Sequence, residues 1–155
     1  MFLHESGHAA FDLLKVPALG REEDAADFFS AYIMLQLGKE DAHRIIFGSA
    51  YQYKADVLNQ EVPVTKFADE HGLPAQRFYN VLCLAYGADQ KLFNDVVKKG
   101  YLPKKRAEGC DAEYEETAFA FKTLIGPYID KALAKKVLAT WMRDVSAPPK
   151  HQPKQ

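Results

Sequence analysis

Residues 3–27 read LHESGHAAFDLLKVPALGREEDAAD, and their spacing sets the architecture. Apolar residues recur at Leu3, Ala10, Phe11 and Leu14, the step of a helix face, so a first helix is expected over 3–16. Pro17 cannot simply continue it, because proline fixes φ and lacks an amide hydrogen. A loop over 16–20 follows, and then a second helix over 21–37. That helix opens on Glu22, Glu23 and Asp24, acidic residues that suit the positive end of a helix dipole, and it closes at Gly38. Its apolar side is expected to carry Ala26, Phe29, Ile33 and Leu37.

The same periodicity runs on downstream. Helices are expected over 40–59, 64–70, 74–86, 88–99, 113–125 and 130–145, with breaks at His71-Gly72 and across the connection 100–110 that holds Pro103 and Gly109. No segment alternates apolar and polar residues between hairpin turns, so no strand is expected. The reading is a mainly α protein, one helical domain over 1–145 with its functional residues on the first two helices. Residues 146–155 contain three prolines and no large apolar side chain, and are expected to form a flexible tail.

Composition narrows the function. With 48% hydrophobic residues in 155, one sizeable core is available. The 20 basic and 21 acidic side chains nearly cancel and form no long block, so neither nucleic acid nor an anionic membrane is expected as a partner. No apolar run approaches the roughly 18 residues a membrane span needs. Two cysteines fit either reduced thiols or a single disulfide. The aromatic residues Phe28, Phe29, Tyr32, Phe78, Tyr79 and Phe119 are expected in the core.

Chemistry concentrates at His4-Glu5-Ser6-Gly7-His8, an H-E-x-x-H pattern. Residues four apart share a helix face, so both imidazoles point at one place, as two zinc ligands would. Glu5 stands about 100° around the helix from His4, within reach of a water beside the metal but with no need to be a ligand, which suits a general base. Catalytic zinc takes three protein ligands and keeps a position open. Glu23 and Asp27 lie four apart with alanines between them, so one carboxylate can bind metal and the other can accept the free ring N–H of a ligating histidine. Glu23 is assigned to the metal, with Glu22 in reserve, and Asp27 to His4.

The five loop residues span up to roughly 17 Å, enough to bring Glu23 level with His8. Gly20 would ease the reversal by adopting positive φ, and reads equally well as an ordinary helix-end glycine. Asp69, His71, Arg77 and Tyr79 include side chains able to donate to an oxyanion, but such residues more often cap helices or form structural ion pairs, and they are left unassigned. The plainer account of residues 4–8 is a solvated amphipathic helix, and of residues 22–27 a helix start decorated with favourable carboxylates.

H-E-x-x-H on one helix followed by E-x-x-A-D on the next resembles the gluzincin metallopeptidases, in which the glutamate is the third ligand and the aspartate supports a histidine. More closely, the chain resembles a bacterial family of metallopeptidase-like proteins still catalogued as a domain of unknown function. The resemblance is carried by residues 20–27, Asp69-Glu70-His71, Gln76 to Asn80, Cys83, Ala85-Tyr86-Gly87, Leu102-Pro103, Arg106-Ala107, Cys110 and Glu113-Tyr114, and extends over about residues 4–128. It implies a zinc-dependent peptidase acting on a peptide or protein substrate, with His4, His8 and Glu23 on the metal and Glu5 as base. Both cysteines lie in resembling segments, which favours a Cys83–Cys110 disulfide if the protein is exported.

Members of that family carry an export signal and a stretch ahead of the zinc helix, and gluzincins bind the substrate backbone along a strand edge there. Only three residues precede His4 here, so that sheet is expected to be missing and a longer natural N-terminus is expected. The location implied is periplasmic or secreted if a signal has been lost, otherwise cytoplasmic. Two rivals remain, a non-catalytic zinc-binding module derived from a peptidase and a metal-free helical interaction domain. The first predicts zinc without cleavage, the second no stoichiometric zinc.

Overall fold

The computed structural model describes residues 2–57 and 62–140. Helix α1 covers Phe2–Leu14, α2 Glu22–Leu35, α3 Lys39–Val57, α4 Pro74–Ala88, α5 Asn94–Lys98, α6 Lys104–Ala107, α7 Cys110–Leu124 and α8 Lys131–Thr140, with 3-10 turns at Val64–Ala68 and Gly126–Tyr128. The described residues contain no strand, and the chain is a single helical domain, mainly α. Residues 58–61 and 141–155 lie outside the described residues, and with them the ends of the third and last expected helices and the whole of the expected tail.

α4 is the centre of the packing and lies against α2, α3 and α7. Phe78 and the five consecutive residues Val81 to Ala85 are all buried, so this helix presents apolar surface nearly all round. Ile46 of α3, Phe93, Val96 of α5 and Leu102 complete the core. Each large aliphatic side chain fully withdrawn from water contributes about 1.5–3 kcal/mol. Cys83 of α4 and Cys110 of α7 are joined as a disulfide, which ties the central helix to its neighbour.

α1 lies along α2. Gly7 makes the approach possible, since a Cβ there would sit 3.2 Å from the Ala26 Cα. The small pair Gly7 and Ala26 therefore brings the two backbones together where the polar residues of both helices meet. α1 ends when Lys15 takes φ 53°, with Val16 N–H donating to Phe11 O at 2.9 Å, so the terminal carbonyl is satisfied by a left-handed cap. Gly20 was the residue expected to supply positive φ; Lys15 supplies it instead, because the reversal is made at the helix end and not at the end of the loop.

Three other expectations need correction. Residues 88–99 do not form one helix: Asp89 is extended, and its carboxylate accepts the N–H groups of Lys91 at 3.1 Å and Leu92 at 2.9 Å, so a turn precedes the short α5. The buried side of α2 is Ala26, Ser30, Ala31, Tyr32 and Met34, a stripe rotated from the one expected, with Ile33 and Leu37 only partly covered. Phe119 is 72% exposed and not core, whereas Phe93, absent from the expected core, is fully buried. Phe119 falls on the outer side of α7; the inner side is taken by Phe121, which packs on Tyr32 at 4.4 Å between ring centres.

Candidate metal centre

His4 and His8 stand one turn apart on α1, and Glu23 and Asp27 one turn apart on α2. The close packing at Gly7 and Ala26 turns the two pairs toward each other. His4 Nε2 lies 3.0 Å from Glu23 Oε2 and 3.3 Å from His8 Nε2, and His8 Nε2 lies 3.4 Å from Glu23 Oε1. One donor atom from each of His4, His8 and Glu23 therefore lies within 4.8 Å of the others.

Two imidazoles and one carboxylate are a donor set that zinc takes in hydrolytic sites. Tetrahedral bonds of 2.0–2.1 Å put neighbouring donors about 3.3 Å apart, close to the separations found here. The residues fit the ion that the spacing of residues 4–8 led us to expect.

The outer contacts are equally defined. His4 Nδ1–H donates to Asp27 Oδ1 at 2.9 Å, the partner expected for it. Asp27 is held in turn by Arg77 of α4, whose Nε–H donates to Oδ2 at 2.6 Å and whose Nη2–H donates to Oδ1 at 2.7 Å. Burial works against the charge of Arg77, but the bonds to Asp27 outweigh it and raise its pKa. Tyr53 stacks under the guanidinium at 4.9 Å, and burial raises its own pKa. His8 Nδ1–H donates to Glu22 Oε1 at 2.8 Å. That bond, helped by the negative charges of Glu23, Glu22 and Glu5, raises the His8 pKa. Glu22, the reserve ligand, thus sits against the outer nitrogen of His8.

Glu5 is exposed and has no hydrogen bond or ion pair among the described residues, although its charge is felt at His8. Of the four residues left unassigned, His71 Nε2 lies 2.8 Å from Glu23 Oε2, Asp69 Oδ1 accepts the His71 backbone N–H at 3.0 Å, and Arg77 binds Asp27. Tyr79 packs against Phe78. Arg77 and His71 come from 50 and 48 positions beyond their acidic partners, so no helical period could have linked them. The signals that did mark them were their polar character beside a helix start and their place in the resembling segments 69–71 and 76–80.

Cys83 and Cys110 are remote in sequence from the acidic cluster, and their disulfide is flanked by Arg106, whose Nη1–H donates to Glu113 Oε1 at 2.6 Å.

No curated protein and no solved structure matches the chain. A family model described as "Putative metallopeptidase" matches residues 1–125, a span that contains α1, α2 and every residue of the cluster. The chain belongs to that metallopeptidase-like family.

Proposed function

We propose that the protein is a zinc-dependent peptidase in which His4, His8 and Glu23 hold the metal and Glu5 is the general base. The observation that carries the reading is the convergence of one donor atom from each of those three residues within 4.8 Å, from two adjacent helices. Membership of a metallopeptidase-like family supports the same class of reaction.

Zinc, when bound, supplies Lewis-acid polarisation of the scissile carbonyl and lowers the pKa of a water from 15.7 toward about 7. The side chains do the rest. Asp27 keeps the Nδ1–H of His4 turned outward and its Nε2 turned inward, and Glu22 does the same for His8. Glu5, adjacent to His4 and exposed, is free to accept the proton of the attacking water. The water oxygen bonds to the carbonyl carbon, the C–N bond breaks, and Glu5 passes the proton to the departing nitrogen. One peptide bond and one water become a carboxylic acid and an amine, and Glu5 returns to its ionised form.

The test is cleavage of an unfolded protein or a peptide library by the zinc-loaded chain. Glu5→Gln is expected to keep zinc and lose turnover, whereas His8→Ala loses both. Undiminished turnover in Glu5→Gln would overturn the mechanism.

A further inference from the structure

We infer that His71 is the outer partner of Glu23 in the metal centre, a positioning residue that orients this carboxylate as Asp27 orients His4 and Glu22 orients His8. The inference rests on the zinc reading and concerns a residue outside the two helices that define it.

Three imidazoles touch Glu23 among the described residues: His4 Nε2 at 3.0 Å, His8 Nε2 at 3.4 Å and His71 Nε2 at 2.8 Å. The first two cannot keep that relation once they bind a cation, because a ligating nitrogen turns its lone pair to the metal and has no hydrogen to offer. His71 touches Oε2 and His8 faces Oε1, so a carboxylate bound to the metal through Oε1 leaves Oε2 in need of a donor. Among the contacts of Glu23, His71 alone is then left to supply it.

His71 is placed for this and not for the metal. The atoms that lie within 4.8 Å of one another take in His4, His8 and Glu23 but not His71. Its ring is stacked 6.3 Å from that of His4, so it stands beyond the donor set while its Nε2 faces the Glu23 carboxylate. At 46% exposure its side chain is also open enough to follow Glu23 through a small adjustment.

The turn that presents it is fixed on two sides. Asp69 Oδ1 accepts the backbone N–H of His71 at 3.0 Å and lies 3.2 Å from its Nδ1. Gly72 packs against the first turn of α2: a Cβ there would stand 3.2 Å from Asp24 Oδ1 and 3.6 Å from the Arg21 guanidinium. Immediately beyond, α4 begins at Pro74 and carries Arg77 to Asp27. The segment from Asp69 to Arg77 therefore supports two of the three donors, Glu23 through His71 and His4 through Asp27.

The test is zinc affinity of the chain, measured by competition with a chromophoric chelator and independent of any activity. His71→Ala is expected to lower affinity on the order of 10–100-fold while still binding one zinc per chain. His71→Gln, which restores an N–H donor of similar reach, is expected to recover most of that loss. Circular dichroism of the metal-free variants separates loss of fold from loss of orientation, and the Ala and Gln variants should match the parent. Unchanged affinity in His71→Ala overturns the inference. So does a loss as complete as that of His8→Ala, which would make His71 a ligand. If the parent chain itself binds no zinc, the proposed function fails first, and this inference with it.

Discussion

Replacing Arg77 by alanine should be among the most damaging single changes near the metal centre. Its guanidinium grips Asp27 with two parallel bonds of 2.6 and 2.7 Å, and the two side chains are only 16% and 12% exposed. Removing one partner of a buried pair leaves a charge out of water without compensation, at a cost of about 3–5 kcal/mol. Asp27 keeps the Nδ1–H of His4 as a second donor, so the lower end applies, about 3 kcal/mol. For a chain of this size that is a fall in Tm of roughly 6–12 °C. Arg77→Lys retains a charge without the fork and should recover part of the loss. Thermal unfolding followed by circular dichroism measures each variant, and the double variant with Asp27→Ala closes the cycle. Because that variant buries neither charge, it should be less destabilised than the sum of the single changes by at least about 1 kcal/mol. A loss below about 1 kcal/mol in Arg77→Ala, or strict additivity in the cycle, would refute the buried-pair account.

Gly7→Val should force α1 from α2, since its Cβ would fall 3.2 Å from the Ala26 backbone and from the Phe29 ring; a loss of about 1–3 kcal/mol in unfolding free energy, with weakened zinc binding, is expected. Asp89→Ala removes the acceptor for two backbone N–H groups at the start of the α4–α5 turn and should cost about 0.5–2 kcal/mol at neutral pH by urea unfolding. The bond from the Leu92 N–H holds the Asp89 carboxyl below its ordinary pKa. Its contribution is therefore present above the unfolded pKa and is lost as pH falls through the folded one, so parent and variant should converge in acid. A gap that stays the same from neutral pH down to the most acid pH at which the chain remains folded would contradict that assignment.

Much of the architecture was legible because it rests on local period. α1, α2, α4 and α7 came through within a few residues, since each carries an apolar face bounded by proline, glycine or an acidic first turn. Asp89 escaped because a side chain accepting its own downstream backbone competes with the helix, and the apolar spacing of 88–99 carries no mark of it. Phe119 was misjudged and Phe93 missed because periodicity finds a face without saying which neighbour covers it. At the candidate site the i, i+4 pairs His4/His8 and Glu23/Asp27 could be read directly, and the small residues Gly7 and Ala26 explain how the two helices come close. Arg77 and His71 could not be joined to that site from the sequence, because their meeting with Asp27 and Glu23 depends on how α4 packs against α2, a tertiary fact with no local signature.

The most direct measurement is zinc content by elemental analysis, after equilibration with the metal and removal of the unbound ion, for the full chain and for its His8→Ala and Glu23→Ala variants. One zinc per parent chain, absent from both variants while their helical content is preserved, is the predicted result. Sub-stoichiometric zinc in the parent, or the same content in all three, would contradict the metal centre.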